Sequence, residues 1–130
     1  MPAPTKLEFD PAGDPITVDF AFDSTVSAQY HLQCYPVGSK MVQAGPGTNT
    51  DGDENEKLTV PIELGDLKGC KVFWVIQVMS LPGMSDSYRI IVKVSQGAEE
   101  LLEKGYSGTI TAANAFDQIV GGVLMQEAGT

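Results

Sequence analysis

Residues 71–80 read KVFWVIQVMS and residues 88–95 read YRIIVKVS, and these two stretches decide the fold class. Both are rich in β-branched and aromatic residues, which suit the pleated surface of a strand better than a helix. The Pro-Gly step at positions 82 and 83 breaks any helix that would span both stretches. The sequence therefore predicts that the two stretches form a β-hairpin at the centre of the fold.

Further stretches alternate apolar with polar residues at the period of two that marks a strand with one buried face. The clearest are residues 16–22, 26–34 and 58–64; shorter candidates are edge strands at 7–9 and 40–43 and strands at 109–112 and 118–125. Gly121 and Gly122 in the last stretch predict a bulge or the close approach of another group to the backbone.

One helix and one long loop complete the predicted elements. Residues 98–104 carry acids first and a lysine last, with Gly105 at the expected stop, which predicts a short helix. Residues 44–57 contain turn formers and acids but no large apolar residue, which predicts the longest loop. The fold class that follows is all-β, an antiparallel β-sandwich of immunoglobulin-like or jelly-roll type with one short helix, in a single domain of residues 1–130.

The charge of the chain restricts its partners. Seventeen acidic against eight basic residues give a formal charge of −9, which opposes binding to nucleic acid or anionic lipid. No stretch is long enough to span a membrane, and the first residues lack a secretory signal. The sequence predicts a soluble protein that is cytoplasmic, or exported without a visible signal. Cys34 and Cys70 are too few for a disulfide scaffold and are expected to be reduced thiols.

Residues for catalysis are scarce. His31 is the only histidine, and it lies in the middle of a predicted strand on the polar side, where a solvated role is expected. A small hydrolase using this residue is kept as an alternative. Our expectation is that the protein is not an enzyme.

A metal site is a second alternative. Asn49, Asp51 and Asp53 crowd oxygen ligands into the long loop, as calcium requires. The EF-hand spacing fails, because placing Gly52 at the sixth position puts Leu58 where that motif needs an acid. We therefore predict no cofactor and keep a calcium-assisted lipid- or sugar-binding module as the alternative.

Residues 83–88, GMSDSY, are similar to the first calcium loop of the phospholipid-binding domains of conventional protein kinase C and synaptotagmin. In that family the aspartate that matches Asp86 ligates calcium. Ser87 stands where the family has proline, and residues 81 and 82 lack the family's upstream aspartate. The phospholipid chemistry is therefore not carried over to this chain.

The function that these observations favour is a non-catalytic recognition or assembly module that acts through protein or glycan contacts. β-Sandwiches often bind sugars by stacking an aromatic ring and holding hydroxyls with polar side chains. Trp74 lies in mid-strand and is expected in the core. Tyr88 and Tyr106, placed at element ends, and Asp86 are the predicted ligand-binding residues.

The predicted hairpin has apolar residues on both faces. If Trp74 faces the core, then Phe73, Val75, Met79 and Ile91 face away from it, and such a patch is rarely left exposed in a monomer. These four residues are the predicted interface of a homo-oligomer.

Overall fold

A computed structural model describes residues 5–22, 27–49, 55–79, 87–110 and 116–128. This part of the chain is almost entirely β-structure. Its elements are β1 (Thr5–Phe9), β2 (Ile16–Phe22), β3 (Ser27–Tyr35), β4 (Val42–Asn49), β5 (Asn55–Thr59), η1 (a 3-10 turn, Leu64–Asp66), β6 (Lys71–Met79), β7 (Ser87–Gln96), β8 (Glu99–Thr109) and β9 (Phe116–Glu127).

The strands form two sheets that pack face to face. The five-stranded sheet has the order β1-β9-β6-β3-β4, and the four-stranded sheet has the order β5-β2-β7-β8. Neighbouring strands are antiparallel except β1, which runs parallel to β9. The predicted all-β sandwich is therefore confirmed, with one parallel pair at an edge.

The predicted central hairpin is wrong in its pairing. β6 pairs with β3 and β9, whereas β7 pairs with β2 and β8 in the other sheet. The two strands instead lie in different sheets, and the inner rows of both are buried in the core between the sheets. Alternation along a strand identifies its buried face but not its neighbour, so this arrangement satisfies the same sequence pattern.

The predicted helix at residues 98–104 is also wrong, because this stretch belongs to β8. A two-residue turn joins β7 to β8, and Gly97 in it takes the left-handed φ of 60° that such turns favour. A shift in the β7–β8 register then allows both Leu101 and Leu102 to pack against the core. The long-range ladder with β7 outweighs the local helix preference.

The predicted loop at residues 44–57 is shorter than expected. β4 begins at Val42 and continues to Asn49, and β5 begins at Asn55, so only residues 50–54 remain, outside the described part of the chain. Pairing with β3 holds β4 without a large apolar anchor, and its edge position tolerates a proline. The predicted strand at 58–64 ends early, since η1 follows β5.

The core lies between the sheets and is built from the predicted inner rows. Trp74 is fully buried, as expected, and the rings of Phe20 and Tyr30 stack at 4.5 Å across the interface of the sheets. Burying one large apolar side chain contributes about 1.5–3 kcal/mol. The backbone of Gly121 passes so close to Trp74 that a Cβ atom there would overlap the indole, which confirms the predicted close approach.

Gln96 orders the connection between β1 and β2. Its buried side chain accepts a hydrogen bond from the Asp10 N–H (2.9 Å) and donates to the carbonyl oxygens of Asp10 (2.7 Å) and Asp14 (2.9 Å). These three bonds satisfy backbone groups that the turn leaves without ladder partners.

Both cysteines are free and buried. Burial raises the pKa of the Cys34 thiol to about 12, and the neighbouring Cys70 adds to the shift. Burial also raises the pKa of Cys70. Among the described residues, no helix has the length and apolar character needed to cross a membrane.

Candidate functional site

The outer surface of the five-stranded sheet collects most of the glutamines of the chain. Residues that alternate with the buried rows of β3, β6 and β9 face outward here, together with Gln43, which pairs with Gln33. Six of the seven glutamines lie on this surface, and the seventh is the buried Gln96. We call this surface the glutamine face; its main side chains are Gln29, His31, Gln33, Tyr35, Gln43, Lys71, Phe73, Val75, Gln77, Met79, Gln118, Val120, Leu124 and Gln126.

The glutamine face is free of carboxylates on its three central strands. The described outward positions of β3, β6 and β9 carry no Asp or Glu, although the chain has seventeen acids. The outer surface of the four-stranded sheet differs, since it carries Asp19, Glu103 and the exposed pair of Lys93 with Glu100 at 3.7 Å. The two faces therefore present different chemistry to a partner.

A row of side-chain hydrogen bonds runs along β3 on the glutamine face. The Tyr35 hydroxyl donates to Gln33 Oε1 at 3.1 Å, and Gln33 Nε2 lies 3.1 Å from His31 Nε2. Because an amide nitrogen only donates, His31 Nε2 is the acceptor in this arrangement. The row holds all three side chains in fixed orientations, and the Tyr35 ring with them.

Phe73 and Tyr35 form an aromatic corner at one end of this row. The Phe73 ring lies over the backbone of Gly122, where a Cβ atom would overlap it. The Tyr35 ring stands edge-on to it, with ring centroids 5.7 Å apart and an angle of 76° between the planes. Tyr35 is 41% exposed. The result is a pair of rings that stand nearly perpendicular to each other on the glutamine face.

A second polar feature crosses the strands further along the same face. Gln29, Gln77 and Gln118 are direct neighbours on β3, β6 and β9, so their amides form a row across the sheet. Phe73 and Gln77 are four residues apart on β6, which places this amide row about 13 Å from the aromatic corner.

The two tyrosines predicted to bind ligand tie the sheets together instead. Tyr88 is 7% exposed and donates from its hydroxyl to Asp117 Oδ2 at 3.0 Å. The Trp74 Nε1–H donates to the Tyr106 hydroxyl at 3.0 Å. Burial, and then Asp117, raise the pKa of Tyr88 to about 12. Tyr88 does lie at an element end, but neither hydroxyl is free, because each bonds to a residue of the opposite sheet. The role of the two tyrosines in binding a ligand stays a prediction.

The acidic candidates fall largely outside the described residues. Asp51, Asp53 and Asp86 lie there, and Asn49 is the last residue of β4. In the described part of the chain, no three His, Cys, Asp or Glu side chains come together as metal ligands. The calcium alternative and the role of Asp86 stay predictions.

The four predicted interface residues do not form one patch. Phe73, Val75 and Met79 lie on the glutamine face, but Ile91 lies on the outer surface of the other sheet. The reason is the pairing of β6 and β7 in different sheets. Val75 is only 9% exposed, because its neighbours on the face cover it, whereas Met79 and Val120 are 44% and 46% exposed.

Sequence reasoning missed the residues that make the glutamine face. The signal was present, since Gln29, His31 and Gln33 alternate with the apolar row of β3. Alternation along a strand does not predict which strands are neighbours in the sheet, and it is the strand order that places Gln77 and Gln118 beside Gln29.

The fold and this surface define a class of protein, a two-sheet β-sandwich with one amide-rich outer face whose three central strands bear no acid at their described outward positions. Protein-family models, curated proteins and solved structures were all compared with the chain, and none matches it.

Proposed function

We propose that the protein is a non-catalytic recognition or assembly module whose contact surface is the glutamine face. One observation carries the proposal: in a chain of charge −9, six of seven glutamines lie on one sheet surface, and the described outward positions of its central strands bear no carboxylate. A surface that only needed solvation would be expected to carry charged residues, as the outer surface of the four-stranded sheet does.

The chemistry of the face suits an uncharged polar partner. Each glutamine amide offers two donor hydrogens and an acceptor oxygen, so it pairs equally well with hydroxyls and with peptide groups. Because the described outward positions of β3, β6 and β9 carry no acid, a neutral partner that binds on these strands desolvates only the charge of Lys71, and charge desolvation is the costly step in forming an interface. Protein and glycan contacts both meet these conditions.

The same observation weighs against the hydrolase alternative. Glycoside hydrolysis generally uses a pair of carboxyl groups about 5–9.5 Å apart. A nucleophile activated by His31 would need a third group to orient the imidazole, and the partner of its Nε2 is the Gln33 amide. A binding role requires neither arrangement.

Self-assembly through this face is the second candidate, and the exposure of Met79 and Val120 favours it. If two copies met through their glutamine faces about a two-fold axis, the central strands would bring no carboxylates together. Val120→Glu is the suitable probe, because Val75 is too buried to accept a charge without a cost in folding. Light scattering at micromolar concentration should report a dimer or larger assembly for the unmodified chain and a monomer for the variant.

The whole proposal is tested by placing carboxylates on the face. Gln33→Glu with Gln77→Glu should abolish binding on a glycan array, or self-association in light scattering, whichever the unmodified protein shows. Ser107→Glu is the matched control, because Ser107 is exposed on the outer surface of the four-stranded sheet. If the double variant keeps the activity, or the unmodified protein shows neither, the proposal is refuted.

A further inference from the structure

We infer that the aromatic corner of Phe73 and Tyr35 is a binding site for a neutral saccharide. This inference rests on the proposed function, since it names a ligand class for the glutamine face. The observations that support it are two nearly perpendicular rings, a row of side-chain hydrogen bonds, and the lack of acids at the described outward positions of β3, β6 and β9.

Phe73 provides a stacking surface. Its ring is partly exposed and lies against the backbone of Gly122. A pyranose presents a face of C–H groups that packs well on an aromatic ring, because the face of such a ring carries partial negative charge. The absence of a side chain at Gly122 leaves room for the ring, since a Cβ atom there would overlap it.

Tyr35 provides a second ring beside that of Phe73, and its orientation is set before any ligand arrives. Its hydroxyl bond to Gln33 and its edge contact with Phe73 hold its ring plane at 76° to the plane of the Phe73 ring. A ligand that enters the corner therefore pays little for ordering these side chains, which is the main cost of binding on an open surface. His31 and Gln33 then lie beside the stacked sugar as hydrogen-bonding groups.

The amide row of Gln29, Gln77 and Gln118 extends the site. It lies about 13 Å from Phe73 on the same face, beyond the reach of one sugar ring that is stacked in the corner. An oligosaccharide that contacts both features should bind more tightly than its monosaccharide, because the second contact becomes intramolecular.

The observations favour a saccharide over a second copy of the chain. The exposed apolar residues of the face are scattered: Tyr35 pairs with Lys71 at one end of β6, and Met79 is at the other, about 26 Å away. Val75, in the middle, is almost covered. A protein interface usually has a buried apolar centre, and the face offers little of one.

The ligand is also expected to be uncharged. Lys71 is the one charged side chain among the described outward positions of β3, β6 and β9, and the acidic chain as a whole repels anions. Glycans with uronic acid or sulfate groups should therefore bind more weakly than neutral ones of the same length.

The test is isothermal titration with cellohexaose, xylohexaose, mannohexaose and maltohexaose, with glucose and a galacturonic acid hexamer for comparison. At least one neutral hexasaccharide should bind at about 1 mM or tighter. Phe73→Ala and Tyr35→Ala should each weaken its binding by about tenfold or more. Ile91→Ala is the matched control, a half-buried apolar residue on the opposite outer surface, and should leave binding unchanged.

A second measurement guards against variants that fold poorly. In the unmodified protein, NMR titration with the same hexasaccharide should shift the backbone amide of Gly122 and the side-chain amides of Gln33 and Gln77. Shifts confined to other surfaces, or binding that survives Phe73→Ala in a folded protein, would overturn the saccharide site.

Failure of this inference is distinguishable from failure of the proposed function. One outcome is that no neutral hexasaccharide binds, but the protein self-associates and Val120→Glu separates the copies. The saccharide site is then refuted, and the glutamine face remains a protein contact surface. If no saccharide binds and no association occurs, both proposals fall together.

Discussion

Gly121 offers a sharp test of how the core is packed. It lies on β9 opposite Trp74, and a Cβ atom at this position would overlap both Trp74 Nε1 and the Tyr106 hydroxyl. These two atoms form the 3.0 Å hydrogen bond that links the sheets. We expect Gly121→Ala to force the two side chains apart, because the fully buried indole has no space into which it can retreat.

The size of the effect follows from two terms. Overpacking a core costs about 1–3 kcal/mol, and leaving the buried indole N–H without its acceptor costs about 1–3 kcal/mol more. The free energy of unfolding should therefore fall by about 2–6 kcal/mol. At about 2.1 cal/mol/K of unfolding entropy per residue, the 130-residue chain loses about 4 °C of Tm per kcal/mol, or about 7–22 °C in all.

Urea unfolding followed by circular dichroism measures this change, and Gly105→Ala is its matched control. Gly105 also lies in a strand, but nothing is within 4 Å of a Cβ atom added there. A Gly→Ala change at such a position should raise stability by about 0.4–1 kcal/mol through the unfolded chain. If the two variants unfold within about 1 kcal/mol of each other, the described packing of Trp74 is wrong.

Three further predictions concern polar groups inside the fold. Tyr88→Phe should lower stability by about 1–2 kcal/mol, because Asp117 loses its donor. Burial and Asp117 raise the pKa of Tyr88 from 10.0 to about 12. The contribution of this hydroxyl to the free energy of unfolding is therefore complete below pH 10 and is lost as the pH rises to 12. Between pH 10 and 12, the urea midpoint of Tyr88→Phe should therefore decline less than that of the unmodified protein. Gln96→Leu removes three hydrogen bonds and should lower the free energy of unfolding by about 2–4 kcal/mol. It should also speed amide hydrogen exchange in the connection from β1 to β2, and unchanged exchange would contradict the role given to this side chain. Cys34 and Cys70 should not react with a thiol reagent in the folded protein and should both react in urea without reductant, whereas a count of zero would reveal a disulfide.

The candidate site shows how far local reasoning reaches. The outward position of His31 and the buried position of Trp74 both follow from alternation along one strand, and both expectations are confirmed. The partners of Tyr88 and Tyr106 could not be predicted, because a tyrosine near an element end carries no local sign of a partner on the opposite sheet. Phe73 was placed on an outer surface correctly, but the position of its ring against the sheet depends on Gly122, which is far away in the sequence.

What the sequence determined by itself is the set of strands around β2, β3, β6, β7 and β9 and the buried rows of the first four. That information is local, because neighbouring side chains of a strand point to opposite faces whatever the strand pairs with. The tertiary structure alone decided that residues 99–104 are strand, since the β7 ladder outweighs a helix preference in a short segment. It also decided that β6 and β7 lie in different sheets and that glutamines from β3, β4, β6 and β9 meet on one surface. These features depend on which strands are hydrogen-bonded neighbours, and that choice is made by the packing of the whole core rather than by any one strand.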